Sequence, residues 1–331
     1  MKTKNEFQEF FRNDLTVHFA SLDTLRKSML RRIFRDTGIF IVALALLFIV
    51  CFYINNAVYG VWFDENEANV PLIVATVVTI TGFFIYLGAI HKSKEKFRKS
   101  YKEQIIKPII KFIHPSLEYD PGNFIQNHEF ARSQIFLENA DTYSGDDLVK
   151  GQIDKTKIRF SEVHASYTTQ SKNQHKEAIF DGIFFIADFN KNFKGKYYVL
   201  PDSAERIFGK FGQKFQKLAT NRGKLVELED PDFERLFVVY GSDQVEARYI
   251  LSPALMARMT AMKKDFPDNL YFSFVGSQIN VAISQRGEQF EQSLFRTVDN
   301  EKQITKFFHL LSSVIGIVEE LNLNTRIWSK E

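Results

Sequence analysis

Cysteine is nearly absent from this chain, which has Cys51 alone among 331 residues. A disulfide framework and a cysteine-based metal site are therefore excluded within one chain. The seven histidines form neither an HExxH motif nor a closely spaced pair, so nothing supports a zinc hydrolase. A P-loop of the GxxxxGKS or GxxxxGKT type is missing as well. Because no catalytic motif remains, we predict no cofactor and no metal, and nothing in the sequence supports an enzyme.

Charged residues are missing from two long stretches near the N-terminus. Residues 37–63 and residues 70–90 contain no Lys, Arg, Asp or Glu. A helix needs about 20 apolar residues to cross the hydrocarbon core of a bilayer. We therefore predict transmembrane helices at 37–58 and 70–90, joined by a short extracytoplasmic loop at 59–69.

Lys and Arg are also missing from that loop, whose charges are those of Asp64, Glu65 and Glu67. Basic residues flank the predicted spans on their other side. Before the first span they are Arg26, Lys27, Arg31, Arg32 and Arg35. After the second span they are Lys92, Lys94, Lys96, Arg98, Lys99 and Lys102. Because Lys and Arg near span ends stay in the cytoplasm, we predict a multi-pass protein of the plasma (inner) membrane with both termini cytoplasmic.

The basic excess of the chain is confined to the part near the membrane. Residues 1–118 hold 16 Lys and Arg against 11 Asp and Glu, whereas residues 119–331 hold 27 against 29. This distribution suits anionic phospholipid and topology control, and it argues against nucleic acid as a partner. The six basic residues after the second span are therefore candidates for binding lipid headgroups, although topology control explains them equally well.

Both flanks of the predicted hairpin have helical patterns. Residues 1–36 are predicted to form a cytoplasmic amphipathic helix, and residues 91–118 a basic juxtamembrane helix and linker. Heptad-like stripes run along them: Phe11, Leu15, His18, Leu22, Leu25 and Met29 in the first, and Phe97, Tyr101, Ile105, Ile109 and Phe112 in the second. We favour antiparallel packing of the two stripes; the alternatives are a helix lying on lipid and one that binds a partner. Pro108 should kink or restart the second helix.

Residues 119–331 combine strand and helix patterns. Strands are predicted at 158–164, 178–189, 196–200, 225–228, 236–240, 270–274 and 278–284. A capping box at 243–246 and a Ser-Pro start at 252–253 predict helices, and a last helix is predicted from about residue 300 to 321. The predicted fold class is a two-span transmembrane helical hairpin followed by an α+β cytoplasmic domain with mainly antiparallel sheet.

Motifs spread over this domain carry a family resemblance. They are Phe180-Asp-Gly-Ile-Phe-Phe-Ile-Ala-Asp-Phe-Asn-Lys191, Val199-Leu-Pro-Asp202, and the stretches 232–240, 243–253 and 273–276, with Tyr143-Ser-Gly-Asp-Asp147 and Ser161-Glu162 earlier. With the hairpin ahead of them, they resemble a bacterial membrane protein family catalogued as domain of unknown function 3137. The resemblance implies a two-span anchor with a cytoplasmic domain, and it implies no activity. It also names a LemA-type membrane protein as a candidate partner, because relatives are encoded beside such proteins.

Asp243, Glu246 and Arg248 are the strongest candidates for a ligand-binding site in the domain. They lie within six residues of one another beside a Gly-Ser turn. The alternative is structural: Asp243 caps a helix, and Arg248 pairs with a carboxylate that fixes the joint between a strand and two short helices.

Two sets of residues that contain carboxylates have both a chemical and a structural interpretation. Glu162 and His164 alternate onto one strand face and could form an acid/base pair, but a solvated sheet face explains them as well. Asp141, Asp146 and Asp147 offer oxygen ligands for a hard cation without the spacing of an EF-hand. We predict an ordinary acidic loop there.

Glycine and basic residues recur together at 209–214 and at 222–224. Such segments suit phosphate, but neither fits a P-loop, and we predict solvated loops. The chain as a whole is predicted to be a membrane-anchored cytoplasmic binding or scaffold module for a protein or lipid partner. The alternative is a membrane-associated enzyme acting on lipid or envelope precursors, with a site assembled from residues distant in sequence.

Overall fold

The structure is a computed structural model, and it describes residues 2–59, 70–169, 175–188, 193–202, 222–267, 270–284, 290, 293–295, 297–298 and 301–328. The chain divides into two compact units. The helical unit comprises residues 9–105 and 291–300, and the α+β unit comprises residues 1–8, 106–290 and 301–331.

The first 113 residues are helical wherever the structure describes them after residue 3. They form α1 (Lys4–Phe10), a π-helical turn (Phe11–Leu15), α2 (Thr16–Tyr59), α3 (Val70–Tyr101), a second π-helical turn (Lys102–Ile106) and α4 (Lys107–Ile113). Pro108 lies in the first turn of α4, directly after the π-helical turn. Proline has no N–H to donate to the preceding turn, so the helix restarts there as predicted.

In the helical unit, α2 packs antiparallel to α3 and the π-helical turn that follows it. Ser21 near the start of α2 donates a hydrogen bond to Gln104 at 2.9 Å. Further along α2, Thr37 hydrogen-bonds Tyr86, and the Phe40 ring stacks on Tyr86 at 5.4 Å. The buried members of the two stripes in this unit are Phe11, Leu15, Leu22, Met29, Phe97, Tyr101 and Ile105. The favoured antiparallel pairing is therefore confirmed.

The α+β unit is built on an antiparallel sheet. Its nine described strands are β1 (Glu118–Asp120), β2 (Thr142–Ile153), β3 (Thr156–Thr168), β4 (Lys176–Asp188), β5 (Tyr197–Pro201), β6 (Lys224–Leu225), β7 (Phe237–Gly241), β8 (Leu270–Val275) and β9 (Gln278–Ser284). Their order in the sheet is β1-β2-β3-β4-β9-β8-β5-β7-β6. The described helices after α4 are α5 (Asn127–Arg132), α6 (Pro231–Glu234), α7 (Gln244–Ile250), α8 (Pro253–Asp265) and α9 (Glu301–Trp328).

Neighbouring side chains of β4 point to opposite faces of the sheet, and both faces are covered. On one face Phe184 contacts Phe130 of α5, with ring centroids 4.9 Å apart. On the other face Phe185 stacks on Phe160 of β3 at 6.2 Å. The segment 124–140 therefore forms one layer over the sheet.

The helices α6, α8 and α9 follow β6 along the chain, and α8 packs against both of the others. Phe233 of α6 lies 5.0 Å from Phe237 of β7, which in turn lies 5.9 Å from Phe272 of β8. Helix α6 contacts α8, and α8 contacts α9, where Arg258 bonds Glu320 at 3.0 Å. These contacts tie the C-terminal helices to β7 and β8.

The structure differs from the predicted elements in a few places. Strands β1 and β2 were not predicted, and the acidic loop predicted at 141–147 is instead mostly part of β2. The strand tolerates these residues because its register shifts between Asp146 and Val149, and Asp147 adopts a φ of 61° there. Strand β6 is shorter than predicted, and α9 continues to Trp328. The sequence also predicts a helix that starts at Pro201 and continues to residue 208, and residues 203–208 lie outside the described residues.

We predict that Gly145→Ala destabilises the α+β unit. A Cβ at this position would lie 2.3 Å from the carbonyl oxygen of Glu162 and 2.9 Å from Cβ of Phe124. Forcing an atom into such packing costs about 1–3 kcal/mol. Gly122→Ala is the matched control, because its nearest neighbour would be an Asp120 carboxylate oxygen at 3.8 Å. Thermal unfolding of the full-length protein in detergent should show a clearly lower midpoint for Gly145→Ala alone; equal midpoints would contradict the packing.

Candidate functional site

The predicted ligand-binding residues Asp243, Glu246 and Arg248 make separate contacts within the protein. Asp243 caps α7, since its carboxylate accepts a hydrogen bond from the Glu246 N–H at 2.7 Å. The exposed Arg248 donates from Nε and Nη2 to the carbonyl oxygen of Glu227, at 3.4 and 3.3 Å. Among the described residues Arg248 therefore has no carboxylate partner, and the predicted pairing with a carboxylate is wrong. A ligand-binding role for the three residues stays a prediction.

Glu246 fastens α7 to the segment that leads into β5. One carboxylate oxygen accepts from the Lys194 N–H at 2.9 Å; the other accepts from the Gly195 N–H at 2.9 Å and the Tyr197 hydroxyl at 2.6 Å. The carboxylate thus turns outward to these donors, and the second half of the predicted capping box does not form. Partial burial alone would raise the pKa of Glu246, but hydrogen bonds from Tyr197, Lys194 and Gly195 hold it below its usual value. Burial and the bond to Glu246 raise the pKa of Tyr197.

A cluster of carboxylates lies where β2 and β3 pair. Oxygens of Asp146, Asp147 and Glu162 lie within 4.8 Å of one another, and Asp147 and Glu162 are buried. Asp141, predicted to belong with the two aspartates, instead accepts from the Thr168 N–H at 2.8 Å. Oxygen ligands at this spacing suit a hard cation, so these are the described residues able to hold one. All three also take part in other interactions within the protein.

The predicted acid/base pair Glu162 and His164 does not form a joint site. The two side chains share a strand face, as predicted, but Glu162 is only 1% exposed and belongs to the carboxylate cluster. His164 is partly exposed and its Nδ1 lies 2.8 Å from Asp181 on the neighbouring strand β4. The solvated sheet face predicted here therefore applies to His164 and is wrong for Glu162.

The basic residues predicted to meet lipid headgroups differ in exposure. Lys92, Lys94, Lys96 and Lys99 are exposed and Arg98 is half-buried, at 3.7 Å from Glu95. Lys102 is only 3% exposed, so protein covers its side chain. The exposed members remain suited to an anionic surface.

A pocket of about 350 Å³ lies in the α+β unit beside α5 and β5. This volume falls within the range of about 300–1,000 Å³ that is usual for small-molecule sites. Its described lining mixes apolar and polar side chains: Asn127, Phe130, Ala131, Gln134, Phe136, Leu137, Glu138, Asn139, Ala140, Tyr198 and Arg222. The ionisable groups among them are Glu138, Tyr198 and Arg222.

Arg222 is the buried charge of this pocket. Its side chain is 5% exposed, although the sequence predicted a solvated loop at 222–224. Its Nη2 donates to the carbonyl oxygen of Ile135, and its guanidinium carbon lies 5.2 Å from the centre of the Tyr198 ring. Nε has no hydrogen-bond partner among the described residues. Burial lowers the pKa of Arg222, and the guanidinium remains a cation at neutral pH.

The residues around Arg222 come from distant parts of the chain. Tyr198 of β5 donates from its hydroxyl to the Gln134 side-chain oxygen at 2.8 Å, while Gln134 adopts a φ of 54° after α5. Burial raises the pKa of Tyr198, and it raises the pKa of the neighbouring Tyr271 to about 12. Both tyrosines therefore stay neutral hydrogen-bond donors at physiological pH. The glycine and basic residues at 222–224, which suit phosphate, are the one sequence signal that pointed to this site.

Comparisons with known proteins support the predicted resemblance. Residues 178–323 match the model of a family described as protein of unknown function (DUF3137), which confirms the similarity read from the motifs. Among solved structures, the crystal structure of the mycobacterial trehalose monomycolate transport factor A, TtfA, is similar with 10% identity and a TM-score of 0.31. The alignment covers 65% of this chain and 93% of that chain. No curated protein matches the chain.

We predict that Glu246→Gln lowers stability at neutral pH and has little effect in acid. At pH 7 the variant weakens three hydrogen bonds to a carboxylate and should lose about 1–2 kcal/mol. The folded pKa of Glu246 is depressed, so its contribution is complete above the unfolded pKa of about 4.3 and disappears as pH falls through the folded value. The difference in unfolding midpoint between wild type and variant should therefore shrink below about pH 5.

The control for this prediction is Glu229→Gln, because Glu229 is exposed. It should match the wild type across the pH range. A Glu246→Gln difference of equal size at pH 7 and pH 3 would contradict the depressed pKa.

Proposed function

We propose that the chain is a membrane-anchored binding module, in which α2 and α3 insert into a bilayer and the α+β unit binds a ligand or partner in the cytoplasm. The observation that supports the anchor most directly is the exposure of apolar side chains along both helices. They include Ile39, Ile41, Val42, Leu46, Phe48, Val74, Val77, Phe84 and Ile85, each about half or more exposed. Both helices are long and apolar enough to span a membrane.

Water is a poor solvent for such surfaces. Leaving a Val, Leu, Ile or Phe side chain in water instead of burying it forfeits about 1.5–3 kcal/mol. Lipid tails cover apolar side chains, and a helix satisfies its own backbone hydrogen bonds in the bilayer. Insertion of α2 and α3 into lipid therefore accounts for surfaces that the protein itself leaves uncovered.

The proposed orientation rests on charge. Lys and Arg precede the first apolar segment and follow the second. The charged residues of the loop between the segments are all acidic. Retention of basic flanks on the inner side favours both termini in the cytoplasm of a cell whose plasma membrane holds the protein. The exposed lysines Lys92, Lys94, Lys96 and Lys99 would then face anionic lipid headgroups.

Binding is favoured over catalysis by the lining of the pocket. Arg222 stays protonated, and the raised pKa of Tyr198 keeps its hydroxyl protonated at neutral pH, so neither group is available as a general base. Among the described lining residues this leaves the exposed Glu138 as the one acid/base candidate, without a nucleophile beside it. The alternative, a membrane-associated enzyme acting on lipid or envelope precursors, therefore has less support. A LemA-type membrane protein stays a predicted partner.

We predict that the loop between the spans lies on the outer side of the cell membrane and that the α+β unit lies in the cytoplasm. Cys51→Ser removes the native thiol, so that single cysteines can be introduced. In spheroplasts, a membrane-impermeant maleimide should label Glu65→Cys, in the loop. Lys155→Cys, at the exposed turn between β2 and β3, should be labelled after lysis alone.

The labelling pattern separates the possibilities. Labelling of Lys155→Cys before lysis would overturn the cytoplasmic placement of the α+β unit. Recovery of the protein from cells in the soluble fraction, without detergent, would overturn the anchor itself. Cys51→Ser alone serves as the background for both labels.

A further inference from the structure

We propose that the pocket beside Arg222 binds a phosphate group, carried either by a lipid headgroup or by a soluble phosphate ester. The inference deepens the proposed function, because it names the ligand chemistry of the same α+β unit. It rests on a buried cation whose Nε has no acceptor among the described residues, on the space beside this cation and on the uncharged donors around that space.

The first step is the incomplete pairing of Arg222. Arg222 is only 5% exposed; its guanidinium donates to the Ile135 carbonyl oxygen, and its Nε has no acceptor among the described residues. Among the described residues no carboxylate forms an ion pair with it. A buried cation without an anionic partner is costly, so a structural role alone explains this arrangement poorly. An anion that enters the pocket would supply the missing partner.

The second step is the space beside the guanidinium. A pocket of about 350 Å³ is far larger than the share of one water molecule, about 30 Å³ in the liquid, so a ligand with several non-hydrogen atoms fits. The Phe130 and Phe136 rings form apolar walls. They favour an organic group attached to the anion and reduce the competition from water.

The third step is the set of neutral donors. Asn127, Gln134 and Asn139, whose side chains carry amides, line the pocket. The Gln134 oxygen accepts from Tyr198, so the NH₂ group is what Gln134 can offer as a donor. A phosphate offers more acceptor oxygens than a carboxylate does, and an Arg fork with several amides matches that number better. Phosphate is therefore the anion that the lining fits best.

Glu138 opposes this assignment and makes it testable. Glu138 lines the pocket but is exposed, whereas Arg222 is buried. A phosphate would thus pass a negative charge at the exposed side before it reaches the cation. Removing that charge should tighten the binding of a simple phosphate, and this effect would not arise if Arg222 had a purely structural role.

The test uses the full-length protein in a non-ionic detergent and isothermal titration calorimetry. The probes are inorganic phosphate, glycerol 3-phosphate, acetate, and mixed micelles that contain phosphatidic acid. Arg222→Met removes the charge at similar size, Arg222→Lys retains a charge without the fork, and Glu138→Gln removes the opposing carboxylate. We expect Arg222→Met to weaken binding about tenfold or more, Arg222→Lys to weaken it less, and Glu138→Gln to strengthen it by about two- to fivefold.

The probes distinguish the sources of the phosphate. Binding of glycerol 3-phosphate or inorganic phosphate supports a soluble ligand, and binding of the phosphatidic acid micelles alone supports a headgroup. Acetate binding as tight as phosphate binding would overturn the assignment to phosphate. Equal affinity of wild type and Arg222→Met, or no binding of any probe by the wild type, would overturn the site.

Folding of the variants is measured by thermal unfolding in the same detergent. If Arg222→Met fails to fold, the other two variants still test the inference. It requires Arg222→Lys to weaken phosphate binding and Glu138→Gln to strengthen it. A chain that is anchored as the labelling experiment predicts but binds no probe refutes the phosphate inference and leaves the membrane-anchored module in place. Failure of the anchor, in contrast, is detected by labelling and fractionation and does not depend on any phosphate probe.

Discussion

Coverage of β4 on both faces is the constraint on which the rest of the α+β unit depends. A strand buried in this way must pair its backbone N–H and C=O groups inside the sheet, and β3 and β9 provide those partners. Phe184 and Phe185, adjacent in sequence, are buried on opposite faces. Phe184 is covered by α5 and the segments on either side of it, and Phe185 packs with Phe160 of β3 on the opposite face.

The layer over Phe184 also creates the pocket. After α5 the chain crosses the sheet and brings Gln134 and Ile135 to the side chains of Tyr198 and Arg222. Polar groups enclosed there have little access to water, so each must find a partner in the protein or in a ligand. Glu246 accepts three hydrogen bonds and so connects α7 to the segment that leads into β5. The Nε of Arg222 has no acceptor in the part of the chain that the structure describes, so Arg222 is a candidate for ligand recognition and Glu246 is a structural charge.

Sequence patterns predicted strands where burial is regular and failed where it is not. Strand β9 has the predicted bounds, because most of its residues are apolar and a glycine turn precedes them. Strand β2 was missed because Gly145, Asp146 and Asp147 suit a loop, and a register shift that accommodates them depends on pairing with β3. The sequence predicts a solvated loop around Arg222, because the glycine and basic residues there fit no P-loop. Its burial depends on Ile135, 87 positions away.

The sequence by itself determined the two long apolar helices, their charged flanks and the strand character of most of the α+β unit. Those features are local: a helix closes its hydrogen bonds within its own segment, and the apolar length that suits a bilayer is read from consecutive residues. The tertiary structure alone decided which polar groups are buried together, including the carboxylates of Asp146, Asp147 and Glu162 and the pocket of Arg222. Pairing of strands distant along the chain sets these neighbourhoods, and no pattern of adjacent residues records it.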